Sequence, residues 1–279
     1  MKNHAFRGRR GRLASLRGAR RFAPNRSAGF TLLELLVALL IGLFLLGGLV
    51  SMTAAMKNTG NIDGNLAQLH DAERAALTLI TDVVQSAGYF PNPVAQTYAT
   101  ALPVTGVFTI AGQSIYGTGS IHASPPGDTL TVRYATNGTA NGDGTLNCLG
   151  ATSPTPVTWI NTFQVVQDST GNWNLQCVLT TNGTAAPAVT LVTGVEGLYV
   201  NYGVQTNAGS GTNSVDAYLD ANGVGASPGP YWNSIISVQI TLIMVNPLYG
   251  KLPGQSLALP PTTSITRVVA VMSKTGVDT

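Results

Sequence analysis

Charge is scarce in this chain, and so are the residue types on which catalysis usually rests. Only 10% of the 279 residues are charged, histidine occurs three times and cysteine twice. His4, His70 and His122 stand far apart, and no zinc-ligand spacing joins them to Cys148 or Cys177. There is no nucleophile elbow, no phosphate-binding glycine loop and no metal-binding helix motif. His70 lies beside Asp71 and Glu73 on what reads as a solvated helix face, and His122 falls in a Ser/Pro loop. With so few acid–base groups, the expectation is a protein that is not an enzyme and carries no cofactor or metal.

Acids are missing altogether from residues 1–29. That segment holds nine of the fifteen basic residues (Lys2, Arg7, Arg9, Arg10, Arg12, Arg17, Arg20, Arg21 and Arg26), so the remaining chain has six bases against twelve acids, a balance of −6. A basic run invites a nucleic-acid reading. Retention of a leader on the cytoplasmic side of a membrane by the positive-inside bias accounts for it better. The acidic balance of the rest also argues against direct binding of nucleic acid.

A long apolar run succeeds the basic segment. Residues 30–50 span 21 positions in which Glu34 is the only ionisable side chain. At 1.5 Å per helical residue such a run covers about 30 Å, the thickness of a bilayer core. A secretory signal would have a shorter apolar core and then a small-residue cleavage site, and no such site stands cleanly after this run. An isolated carboxylate in that setting costs on the order of 2.5–3.5 kcal/mol unless it finds a partner.

Gly29-Phe30-Thr31-Leu32-Leu33-Glu34 resembles the processing site of type IV pilins and their pseudopilin relatives. The resemblance implies cleavage by a prepilin peptidase after Gly29 and N-methylation of Phe30, which becomes the first mature residue. It also implies a pairing of Glu34, then the fifth residue, with the N-terminal amine of a neighbouring subunit. The plainer account of Glu34 is an acid favoured by the dipole at a helix N-terminus, worth about 0.3–1 kcal/mol.

Beyond residue 50 the pattern turns amphipathic. Ile62, Leu66, Leu69, Ala76, Ile80, Val83 and Ala87 recur at helical spacing, while Lys57, Asp63, Asp71, Glu73, Arg74 and Asp82 occupy the remaining surface. The spacing predicts one helix over 30–86, ending at Gly88 before Pro91 and Pro93. Gly47-Gly48 marks the expected place for a kink or local melting, and the small residues also suit close packing against other helices. From Pro91 onward short β-prone runs alternate with turns. They predict strands over 104–110, 129–135, 159–167, 173–180, 188–192, 198–204, 234–245 and 265–272, with surface loops over 137–144, 207–213 and 221–230. The fold class is α+β: a long N-terminal helix, transmembrane in its first half, packed on a C-terminal antiparallel β-sheet domain. The expected divisions are a cleaved leader (1–29), a transmembrane assembly helix (30–53), its amphipathic continuation (54–88) and a β-rich domain (89–279).

Asp128-Thr-Leu-Thr-Val-Arg-Tyr134, Leu191-Val-Thr-Gly-Val-Glu-Gly-Leu-Tyr-Val-Asn-Tyr-Gly203 and the segment from Trp232 to Leu242, with Arg267 near the end, resemble the PilW family of minor type IV pilins. That resemblance implies a subunit inserted in the bacterial inner membrane with its N-terminus cytoplasmic, then exposed in the periplasm or in an extracellular pilus. Its implied partners are the prepilin peptidase, an inner-membrane assembly platform, other minor and major pilins and a tip adhesin. The implied role is initiation and priming at the pilus tip, in support of motility, attachment or DNA uptake. The same N-terminus serves minor pseudopilins of type II secretion systems, and a tip-exposed binding module is a further alternative. In such an oxidising compartment Cys148 and Cys177 are expected to form a disulfide. Asn141-Gly-Asp143-Gly-Thr145 and Asp220-Ala-Asn222-Gly faintly resemble calcium loops, but neither has the full ligand series or the terminal glutamate. Turn chemistry is sufficient for both.

Overall fold

The computed structural model describes residues 29–119, 126–207, 213–225, 229, 231–250 and 260–275. Residues 1–28 of the expected leader, His4 among them, His122 and the expected-loop residues 208–212, 226–228 and 230 lie outside them. The chain divides into two compact units, one ending at Lys57 and one from Asn58 onward.

Helix α1 (Leu32–Gln85) spans 54 residues, about 80 Å at helical rise. It is helical straight through Gly47 and Gly48, so the expected local melting there is not seen. Within the second unit, its apolar stripe is buried as the periodicity requires: Leu69, Ala76, Leu77, Ile80, Val83 and Val84 join the core. Glu73, expected on the solvated surface, is buried instead. It sits four residues after Leu69 and three before Ala76, within the stripe itself, and Nδ1 of the exposed His70 lies 3.1 Å from its Oε2. The helix stops where Gly88 adopts φ +77°. A side chain at this position would stand 2.7 Å from the Ser273 hydroxyl, which itself donates to the Ala87 carbonyl at 2.7 Å.

Among the described residues the strands form two antiparallel sheets. The first contains β1 (Ile115–Thr118), β2 (Thr129–Thr136), β3 (Val157–Gln167), β4 (Trp173–Thr181), β5 (Thr184–Ala185) and β6 (Val189–Thr193), in the order β1-β2-β3-β4-β5 with β6 also on β4. The second contains β7 (Val195–Val204), β8 (Ala217–Leu219), β9 (Ile235–Val245) and β10 (Thr262–Ala270), in the order β10-β9-β7-β8. Alternate residues of β9 (Val238, Ile240, Leu242 and Met244) and of β7 (Leu198, Val200 and Tyr202) face the core. The α+β layout is as expected from the sequence.

The sheets meet at Gly127 and Asp128. Gly127 bridges Leu198 in parallel; with φ +86° and the Leu198 carbonyl 2.3 Å from where a Cβ would stand, only glycine fits. Asp128 donates its N–H to the Leu198 carbonyl at 2.7 Å, and its carboxylate accepts the Val200 N–H at 2.8 Å.

The strand expected over 104–110 is not one. Its β-prone residues form a tight turn, with Thr105 bridging Phe108 and Gly106 at positive φ. The turn buries Phe108 beneath the guanidinium of Arg133, 4.3 Å from the ring centroid. Arg133 is fully buried without a carboxylate partner among the described residues. Its Nε donates to the Gln113 carbonyl at 2.5 Å, and its terminal nitrogens donate to Pro103 at 2.6 Å and Leu102 at 3.0 Å. One side chain on β2 thus holds the connection that leaves the short helix α2 (Tyr98–Ala101). Nor is 221–230 simply a surface loop. Asp220 caps the short helix α3 (Ala221–Val224), which buries Ala221 and Val224, and the Trp232 indole donates to Gly225 at 2.7 Å. The last expected strand ends at Ala270 instead of 272, because Met272 opens the short helix α4 (Met272–Thr275).

Candidate functional site

Gly29, Phe30 and Thr31 precede α1 in non-helical backbone. Thr31 is the helix cap: its hydroxyl accepts the Glu34 N–H at 3.3 Å and its carbonyl accepts the Leu35 N–H at 3.2 Å. A threonine with glutamate three residues later is a recognised start signal, so the sequence carries the sign of this cap. The Glu34 carboxylate is exposed and makes no ion pair among the described residues.

Glu34 stands on a stretch of helix whose apolar side chains are exposed among the described residues. Phe30 is 81% exposed and Phe44 83% exposed, and every large apolar side chain over 32–56 is exposed. At about 1.5–3 kcal/mol for each such side chain, leaving this surface in water would cost on the order of 25–50 kcal/mol. Gly42, Gly47, Gly48, Gly60 and Gly64 have open space where a Cβ would stand, so no contact among the described residues requires glycine there. The helix is long and apolar enough to cross a membrane.

Cys148 and Cys177 are bonded to each other and fully buried. The bond ties the loop between β2 and β3 to β4, and the Cys148 N–H is held by the Asn161 side chain at 2.9 Å.

Four carboxylates of the β-rich part serve as turn staples. Asp143 accepts the Asn137 N–H at 2.8 Å and the Thr145 N–H at 2.9 Å, together with the Thr145 hydroxyl. Partial burial opposes its charge, but these bonds together hold its pKa below the usual value. Asp168 is held low chiefly by the Thr170 hydroxyl and the Asn172 N–H. Asp216 is held low by the N–H groups of Asn207 and Thr206. Asp220 accepts the Gly223 N–H at 2.8 Å. The two segments resembling calcium loops are therefore organised by ordinary turn bonds. Asp128 behaves differently: burial raises its pKa against the opposing Val200 N–H, with Asp220 adding to the rise, and its Oδ1 has no partner among the described residues.

Two family models match the chain. Residues 24–50 match the prokaryotic N-terminal methylation motif. Residues 162–266, from within β3 into β10, match the type IV pilus-assembly protein W. Comparison with curated proteins and with solved structures returns no match. A methylation-type N-terminus leading into a bare apolar helix defines the class, a membrane-anchored, type IV pilin-like protein. Within that class, the two matches together are consistent with a type IV minor pilin of the PilW family. The segments at Leu191 to Gly203 and Trp232 to Leu242 fall inside the second match, whereas Asp128 to Tyr134 and Arg267 fall outside it.

Proposed function

We propose that this chain is a minor subunit of a type IV pilus, cut by a prepilin peptidase between Gly29 and Phe30 and methylated on the Phe30 amine. It inserts in the bacterial inner membrane and leaves the bilayer by exchanging lipid contacts for contacts with other subunits' helices. It acts in the priming or tip complex, with other minor and major pilins and a tip adhesin, in support of motility, attachment or DNA uptake. The observation that carries this reading is the rod over residues 30–56, apolar on every side, with one carboxylate five residues after the cleavage point. A free Phe30 amine from a neighbouring subunit would neutralise Glu34 in low dielectric and fix axial register. A structural role in place of catalysis is supported by how the polar groups are used. Asp143, Asp168, Asp216 and Asp220 bind turns, and His70 is paired with Glu73.

The test is N-terminal sequencing and mass measurement of the protein recovered from cells and from sheared fibres. A chain beginning at methylated Phe30 and present in fibres is the expected result. An intact basic leader, or absence from the fibres, would overturn it.

A further inference from the structure

Among the described edge strands β10 is the longest, nine residues against four in β1, three in β8, two in β5 and five in β6. It pairs with β9 without a register break, Thr262 opposite Val245 through Ala270 opposite Ser237. Two flanking bonds fix which backbone groups point inward. The Asn246 N–H reaches the Pro261 carbonyl at 2.8 Å, and the Val271 N–H reaches the Ile236 carbonyl at 2.8 Å. Both lie in the same antiparallel register, so odd-numbered residues of β10 bond to β9 and even-numbered ones turn N–H and C=O outward. Thr262, Ser264, Thr266, Val268 and Ala270 therefore offer a row of main-chain donors and acceptors, which no described residue meets. Ser264, Thr266 and Val268 also have exposed side chains.

Natural edge strands are usually short, or carry prolines, bulges or charges that block pairing. Here the strand contains no proline and no bulge, and its one charge is Arg267. Arg267 lies opposite the fully buried Ile240, and its exposed side chain forms no ion pair among the described residues.

We propose that β10 accepts an extended segment of another subunit, added as a fifth strand to the β10-β9-β7-β8 sheet with a carboxylate opposite Arg267. The inference rests on the assembly reading above, which supplies the source of the segment. The unmet groups form a regular ladder that only extended backbone can match. Arg267 stands at a position where an incoming strand forms a non-hydrogen-bonded pair, in which opposing side chains come closest. A second copy of β10 (TTSITRVVA) has no acid to offer Arg267.

Val268→Pro removes only an outward N–H, which an edge strand tolerates, whereas Arg267→Pro removes a bond to β9 and serves as the unfolding control. The full chain carrying Val268→Pro is expected to melt like wild type and to lose its leader normally. It should appear in sheared fibres at less than about a tenth of the wild-type amount, the consequence of losing one 1.4 kcal/mol increment. Recovery at the wild-type level would sink the proposal and leave the assembly reading standing. Absence of the wild-type chain from fibres would sink both. Should Val268→Pro fail to fold, amide exchange on the unaltered protein decides. The amides of Ser264, Thr266 and Val268 should exchange freely in the detergent-solubilised chain and slow on the order of 100-fold in fibres. Those of Ile265 and Val269 should be slow in both. Protection of the even-numbered amides in the isolated chain, or none in fibres, overturns the proposal.

Discussion

Arg133 provides the sharpest test of how the β unit is held together. Arg133→Met keeps much of the side-chain volume but removes every donor, leaving the carbonyls of Pro103 and Gln113 without the bonds that now satisfy them, while that of Leu102 keeps the Gly112 N–H at 2.8 Å. A buried polar group left unpaired costs about 1–3 kcal/mol. Some of that loss is offset because the methionine has no charge to desolvate; burial already lowers the Arg133 pKa to about 10. Local opening of the 102–113 connection would let water reach part of the rest. The net loss should be on the order of 2–4 kcal/mol, or about 4–16 °C in melting temperature for a unit of this size. Arg133→Lys should fall between the two, since one ammonium cannot reach three divergent carbonyls as a planar fork does. The measurement is thermal unfolding of the detergent-solubilised chain, monitored by near-ultraviolet circular dichroism. Trp159 and Trp232, both buried, report on tertiary packing. A methionine variant melting within about 2 °C of wild type, or a lysine variant indistinguishable from it, would refute the reasoning.

Three other outcomes depend on particular contacts. Replacing Cys148 and Cys177 by serine reopens a 29-residue separation; the loss should be about 3–4 kcal/mol, and a reducing agent should produce the same drop in wild type but none in the variant. Asp128 has a folded pKa above its unfolded one. Its contribution therefore favours the fold below the ordinary carboxylate range and is lost as pH rises through it, up to the raised value. Asp128→Asn should flatten that part of the stability–pH curve without destabilising the chain at neutral pH, and an unchanged slope in urea titrations across about pH 3.5 to 7 would count against this. Glu34→Ala should still lose the leader but be absent from sheared fibres on immunoblots, and normal incorporation would remove the pairing with the Phe30 amine.

Much of this architecture is legible in the sequence because it derives from periodicity. The stripe from Leu69 to Val83 reads at helical spacing, and the apolar alternation in β7 and β9 marks strands whose inner faces are buried. The illegible parts depend on contacts distant in sequence. The stretch around Phe108 is as β-prone as β2, yet it folds as a turn because Arg133, from β2, captures three carbonyls along that connection. Its composition gives no hint of this. Charge alone puts Glu73 on the surface, although its position between Leu69 and Ala76 lies inside the buried stripe. Residues 221–230 read as loop from their Asn, Gly and Pro content, while the competing signal, Asp220 as a cap with Val224 as an apolar anchor, is short and easily outweighed. Of the candidate site, Glu34 and the glycine before Phe30 stand out by motif alone, and Thr31 matches a known capping pattern. The open edge of β10 cannot be foreseen, since only pairing shows which strand lies outermost.

The Thr31 cap bears on what maturation does to the helix. A cut between Gly29 and Phe30 falls just upstream of the residue that fastens the first turn. Trimming would therefore leave the coil's starting knot in place and change only what hangs from it, from a long basic tail to a single amine. The precursor in the bilayer and the finished subunit would share one rigid end, with nothing to refold when the peptidase lets go.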